Sequence, residues 1–147
     1  MNDKELVEKM ELTELSNKLF MYTDARQWQL LLDEVFTAEV VFDVSSLGGP
    51  GPVLLPAKEI CETWQKGLEG LDAIHHQAGH YLVSVEGDKA DIFGYAMATH
   101  YKKNAKKGNT RCFIGSYDLK AVRTNSGWRL NQFKFNLKCL DGNATLE

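Results

Sequence analysis

Three residues in this chain combine a type and a placement suited to acid–base chemistry: Asp24, His76 and His100. Histidine titrates near neutrality and can move a proton either way. A carboxylate beside one of its ring nitrogens fixes the tautomer and raises the basicity of the other. The chain has 4 histidines, His75, His76, His80 and His100, all in segments with strand character. A zinc site built on His76 and His80 is not expected. That spacing shares a face on a helix, but four residues of strand span about 13 Å, too far to share one ion. His75 and His76 point to opposite faces of a strand. A metal site is not expected.

The face pattern around these histidines predicts a cavity. Along one strand Ile92, Gly94, Ala96, Ala98 and His100 share a face, with Phe93, Tyr95, Met97, Thr99 and Tyr101 on the other. Small residues fill a core poorly, so three of them leading to a histidine leave volume above the sheet. On the preceding strand His76, Ala78, His80 and Leu82 share a face. Pairing about the Glu86-Gly87-Asp88 turn can bring His76 opposite His100. Asp24 stands at the end of a helix that could cover this cavity, and it also reads as the cap of the next helix.

The elements that would carry these residues follow from periodicity. Leu6, Met10, Leu12, Leu15, Leu19, Phe20 and Tyr22 recur at three- and four-residue spacings and predict a first helix. After a joint at Thr23–Arg26, Trp28, Leu31, Leu32, Val35 and Phe36 predict a second. Val40–Val44 reads as a short strand, and Ser45–Pro52, rich in Gly and Pro, as a loop. Pro56 suits the first position of a third helix whose buried stripe is Ile60, Trp64 and Leu68. From Asp72 onward the period shortens to that of strands: one ending at Val85, then Ala90–Tyr101, Phe113–Arg123 and Trp128–Cys139. Thr124-Asn125-Ser126-Gly127 is a hairpin signal between the last two. Helices followed by antiparallel strands mean an α+β fold, helices packed on one face of a curved sheet. No linker or repeat divides residues 1–147, so a single domain is expected.

Composition removes several function classes. With 17 Lys+Arg against 20 Asp+Glu the net charge is -3, the reverse of the basic excess of a nucleic-acid binder. Hydrophobic residues at 44% and aromatics at 10% exclude a disordered chain. Cys61, Cys112 and Cys139 are odd in number and form no Cys-x-x-Cys pair, so they read as buried thiols. The polar start Met1–Glu5 shows no signal peptide, no apolar run reaches membrane-spanning length, and the reducing cytoplasm is the expected location.

The segments Thr23-Asp24-Ala25-Arg26-Gln27-Trp28, His75-His76-Gln77-Ala78-Gly79-His80, Ala98-Thr99-His100-Tyr101 and the closing Gly127-Trp128-Arg129-Leu130 hairpin carry a resemblance. Over roughly residues 8 to 140 their order and spacing resemble the SnoaL-like branch of the NTF2-like (cystatin-like) superfamily, and within it the scytalone dehydratase-like proteins. The resemblance implies a cone of three helices and a strongly bent, mainly antiparallel sheet around a deep pocket. It implies that Asp24, His76 and His100 work on the substrate without metal or cofactor. His76, polarised by Asp24, would be the general base, and His100 would hydrogen-bond the leaving oxygen or act as acid. Two tyrosines that orient a water in the dehydratase pattern look to be replaced here by Thr23 and Val44, with Tyr22 one step away. On a helix one step rotates a side chain by about 100°. The family habit of pairing through the open sheet face implies a homodimer or homotrimer.

Candidate contacts to a small apolar oxygenated substrate are Tyr22, Val44, Trp64 and His80. Ala96, Ala98, Phe133 and Phe135 complete the set, the two phenylalanines as apolar lining. The activity expected is that of a lyase or isomerase, of dehydratase or cyclase type. The alternative is a non-catalytic binding or assembly module, since this fold hosts both. Lys102, Lys103, Lys106, Lys107 and Arg111 surround a hairpin tip and read as a solvated turn. Gly48-Gly49-Pro50-Gly51 lacks the Lys-Ser/Thr of a phosphate loop and reads as a flap or a connector.

Overall fold

A computed structural model describes residues 1–147. Helix α1 (Asp3–Asp24) starts at a capping box: the Asn2 side chain accepts the Glu5 N–H at 2.9 Å, and the Glu5 carboxylate accepts the Asn2 N–H at 3.2 Å. Its buried face carries Leu12, Leu15, Leu19, Phe20 and Thr23. The helix stops where Arg26 turns into the left-handed region at φ 57°. The Arg26 guanidinium donates to the Leu68 and Leu71 carbonyls at 2.9 and 2.8 Å, which ties the end of α1 to the end of a later helix.

The expected second helix is shorter than its apolar pattern implies. Only one α turn forms, α2 (Trp28–Leu30), and it widens into a π turn over Leu31–Val35. Leu31, Val35 and Phe36 are nonetheless buried, so burial is met by a different backbone. Strand β1 (Phe36–Asp43) then begins four residues before the expected Val40. A 3-10 turn at Ser45–Leu47 opens the Gly/Pro loop, and a four-residue strand that the sequence did not announce, β2 (Val53–Pro56), closes it. Helix α3 (Ala57–Gly67) follows, with Pro56 as its cap rather than its first residue. The helices are therefore one long, one of a single turn, and one placed after two strands, not three in succession at the N-terminus.

Strands β3 (Ala73–Glu86), β4 (Lys89–Tyr101), β5 (Thr110–Thr124) and β6 (Gly127–Gly142) are longer than their sequence signals. The sheet order is β2-β1-β6-β5-β4-β3, all neighbours antiparallel except β1 and β6. Helix α1 packs across β3 and α3 against β1. One core cluster of 22 buried residues joins both layers. No helix is long and apolar enough to cross a membrane.

Several register irregularities interrupt the sheet, and two of them bear on the cavity. Between Gly79 and Leu82 strand β3 carries one extra residue, with His80 at φ 56°. Such a bulge reverses the alternation of everything after it. Tyr81, Val83 and Val85 turn to the core and Leu82 turns outward, 71% exposed. Another bulge lies between Leu137 and Cys139 of β6. There the Ser46 hydroxyl donates to the Phe135 carbonyl at 2.8 Å and accepts the Leu137 N–H at 3.0 Å, stapling the Gly/Pro loop to the sheet.

Candidate active site

A cavity of about 310 Å³ lies between α1, α3 and the inner face of the sheet. That is the lower end of the size range of small-molecule pockets, about 300–1,000 Å³. Leu19, Phe20 and Thr23 line it from α1, Trp64 and Leu68 from α3 and the residues after it, and Phe133 and Phe135 from β6. His76, Ala98, His100, Phe113 and Tyr117 line it from β3, β4 and β5. Leu47, Thr63 and Gly67 are liners that also face solvent, so the mouth opens between the 3-10 turn and α3.

Asp24 holds His76 twice. One carboxylate oxygen accepts the backbone N–H of His76 at 2.8 Å, the other its ring Nδ1–H at 2.6 Å. Both side chains are largely buried, His76 at 11% exposure and Asp24 at 18%. A carboxylate only accepts, so Nδ1 must carry the proton, and the Nε2 of neutral His76 bears a lone pair. The Phe20 ring packs against the imidazole with centroids 5.2 Å apart.

His100 is set the opposite way. Its Nδ1 accepts the Nε–H of Arg111 at 3.0 Å. A guanidinium only donates, so Nδ1 is bare and Nε2 carries the hydrogen. Burial first, then the neighbouring Arg111 charge and His76, push the His100 pKa down to about 4, against a smaller upward pull from Asp24. Near neutrality His100 is an uncharged N–H donor. The cavity thus has a ring nitrogen that can take a proton and a second that can only offer a hydrogen bond.

Register places the two histidines diagonally. His76 pairs with Ala98 and His100 with Ile74, two residues from the direct opposition expected. The turn register, Glu86 opposite Lys89, accounts for one residue of the offset and the bulge at His80 for the other. His76 and His100 stay on one face and reach one cavity.

Of the expected contact residues, Val44, Trp64, Ala98, Phe133 and Phe135 line the cavity and three others do not. Tyr22 donates to Glu34 at 3.1 Å on the far side of α1, since Thr23 takes the inward position one step on. His80 sits exposed in the bulge against Tyr95, ring centroids 5.6 Å apart. Ala96 is packed within the core, where the Phe135 ring covers its cross-strand partner Gly115. Of the three thiols only Cys61 is buried, which raises its pKa to about 11, while Cys139 is exposed. Tyr117, Phe113 and Arg111 escaped the sequence reading. Tyr117 and Arg111 share the inner face with Phe113 at alternate positions of β5, an alternation that was available. Arg111 was hidden among the lysines of the hairpin tip.

The SnoaL-like domain family matches residues 4–134. No curated protein matches the chain. Among solved structures the chain is similar to the Kfla4162 protein of Kribbella flavida, at 26% identity and TM-score 0.91 over 97% of each chain. It is similar to a candidate aromatic ring hydroxylase of Novosphingobium aromaticivorans, at 21% identity and TM-score 0.82 over 96% of each chain. A candidate scytalone dehydratase of the same organism shares 13% identity, with TM-score 0.80 over 97% of this chain and 92% of that one. With the Asp24–His76 pair and the cavity in place, the match across most of its length assigns the molecule: this chain belongs to the SnoaL-like domain family, on an NTF2-like fold.

Proposed function

We propose that this protein is a cofactor-independent lyase or isomerase that moves a proton through His76 on a small, apolar, oxygenated substrate. The observation that carries this reading is the double hold of Asp24 on His76. It leaves one basic nitrogen at the cavity and a buried carboxylate behind it to balance the imidazolium once a proton arrives. A C–H bond beside a carbonyl gives its proton to His76 Nε2. The electron pair moves onto the carbonyl oxygen, where the Nε2–H of His100 donates a hydrogen bond to the developing charge. His76 then returns the proton, to a departing hydroxyl in a dehydration or to another carbon in an isomerisation. A neutral His100 with a bare Nδ1 serves as donor and not as the acid of this cycle, which narrows the two roles considered for it. The candidate scytalone dehydratase among the similar structures supports a reaction of this kind.

The test is hydrogen–deuterium exchange beside the carbonyl in a panel of hydroxylated cyclic and aromatic ketones, followed by NMR in deuterated water. Exchange or water loss that falls by about 10²–10⁴ in His76→Gln supports the reading. A second reading, a binding module without turnover, is favoured by one observation. Thr23 spends its hydroxyl hydrogen on the Leu19 carbonyl at 2.7 Å and Val44 has none, so these two positions supply no pair of hydroxyls to orient a water. A ligand recovered unchanged, with His76→Ala altering only its affinity, would decide for that module. We also propose that copies of the chain associate as a homodimer or homotrimer.

A further inference from the structure

We propose that Arg111 is a positioning residue that fixes the tautomer of His100 from outside the cavity, and that the segment after β6 holds Arg111 in place to do so. The inference rests on the reading of His100 as donor to a substrate oxygen.

Arg111 lies directly opposite His100 in the β4–β5 pairing, so both side chains stand on the inner face. Its Nε–H donates to His100 Nδ1 at 3.0 Å, while its Nη1–H donates to the Ala144 carbonyl at 3.0 Å. The guanidinium carbon also lies 5.5 Å from the centre of the Phe113 ring, itself a cavity wall. The planar fork is therefore held at two corners, a geometry a lysine cannot reproduce.

The Ala144 carbonyl is not a casual partner. Residues 143–147 fold back onto the hairpin tip between β4 and β5. The Asn143 N–H donates to the Thr110 carbonyl at 2.9 Å, and its side-chain amide donates to the Gly108 and Glu147 carbonyls at 3.0 and 3.1 Å. The Lys106 and Lys107 N–H groups both donate to the Glu147 carbonyl at 3.0 Å, and Leu146 is buried at 2% exposure.

Without Arg111, neutral His100 could place its hydrogen on either nitrogen, and one form would present a lone pair to an oxygen it must hydrogen-bond. Three charged or titratable groups face the ring: Arg111 from β5, His76 from β3 and Asp24 from α1. Arg111 and His76 oppose a charge on His100, and Asp24 favours one. Burial is the main cause of the neutral form, Arg111 adds to it, and the Nε–H contact of Arg111 selects the tautomer.

Long-range proton–nitrogen correlation of the imidazole rings in the ¹⁵N-labelled protein reads the tautomer directly, with no substrate. Wild type should show His100 protonated on Nε2 at pH 7. Arg111→Met should spread His100 over both tautomers and raise its titration midpoint. Arg111→Lys should fall between, and unchanged His76 signals would show that the fold persists. A wild-type His100 protonated on Nδ1, or a tautomer and midpoint indifferent to both substitutions, overturns the proposal. Where a substrate is turned over, Arg111→Met should lower kcat and move the acid limb of the pH profile upward. A tautomer that follows Arg111 in a protein that turns nothing over keeps this inference and counts against the catalytic reading. Turnover beside an indifferent tautomer does the reverse.

Discussion

Two histidines of the same type reach one cavity with opposite equipment, and the difference lies in what touches each Nδ1. Asp24 accepts from His76 and Arg111 donates to His100. Asp24→Asn tests the first. Its amide oxygen is one good acceptor where two N–H donors, backbone and ring, now share a carboxylate. Turning the amide to serve the ring from its NH₂ would force the hydrogen onto Nε2 and remove the base. The expected outcome is a loss of about 10²–10⁴ in turnover with the cavity intact, read from exchange kinetics. The second makes a prediction about stability. His100 has a folded pKa lowered to about 4 from 6.5. The unfolded chain then binds a proton between those values that the folded chain refuses, so stability holds above pH 6.5 and falls as pH drops towards 4. Urea unfolding at pH 7 and pH 4.5 should show a smaller acid loss in His100→Gln than in wild type. An equal loss in both would contradict the assignment.

The elements show which parts of the molecule could be read from the chain. Alternation along Ile92–His100 correctly placed five residues on the inner face, because an unbroken strand has a period of two. The same rule failed at His80, because a bulge changes the count and no turn residue announces it. The expected void above Gly94 is also closed by that bulge. It turns Tyr81 inward, and a Cβ on Gly94 would meet the Tyr81 ring at 2.7 and 2.8 Å. Only the Ala98 end of the small-residue stripe stays open. The second helix and β2 were misread for a similar reason: burial of Leu31 and Val35 is satisfied by a π turn as well as an α turn, and four residues are too few for a pattern. The placement of His76 and His100 on one face could be read from strand alternation, and that of Asp24 from the end of the first helix, whereas Arg111 reaches His100 from a neighbouring strand. Two substitutions test the bulge. His80→Gly removes the cost of a left-handed backbone and should keep or raise stability by about 0.5–1 kcal/mol, leaving activity unchanged. Gly94→Ala should cost about 1–3 kcal/mol through overpacking against Tyr81, measured by the shift in urea midpoint.

At the scale of the molecule, the helical layer covers only part of the sheet. The outer face shows Tyr95, Met97 and Tyr101 as exposed large apolar side chains, which is the support for the proposed self-association. Light scattering at micromolar concentration should give a dimer or trimer, and a monomer there would end that proposal. The inner face carries a void where core would otherwise be, and that void can be tested without knowing what fills it. Ala98 is buried on β4 between His76 and Phe113, its partners on the two flanking strands. Its methyl group borders the cavity rather than packed core. In a filled interior, a larger residue at such a position forces neighbours off their rotamers and costs about 1–3 kcal/mol. Here Ala98→Leu projects its added carbons into open space, buries them against Phe113 and Phe135, and should leave the thermal midpoint unchanged or higher. The same carbons take the room beside both histidines, so retention of any copurifying ligand and any turnover should disappear together. Destabilisation by Ala98→Leu would mean the site is packed. A stable variant that still binds and reacts would move the functional cavity elsewhere.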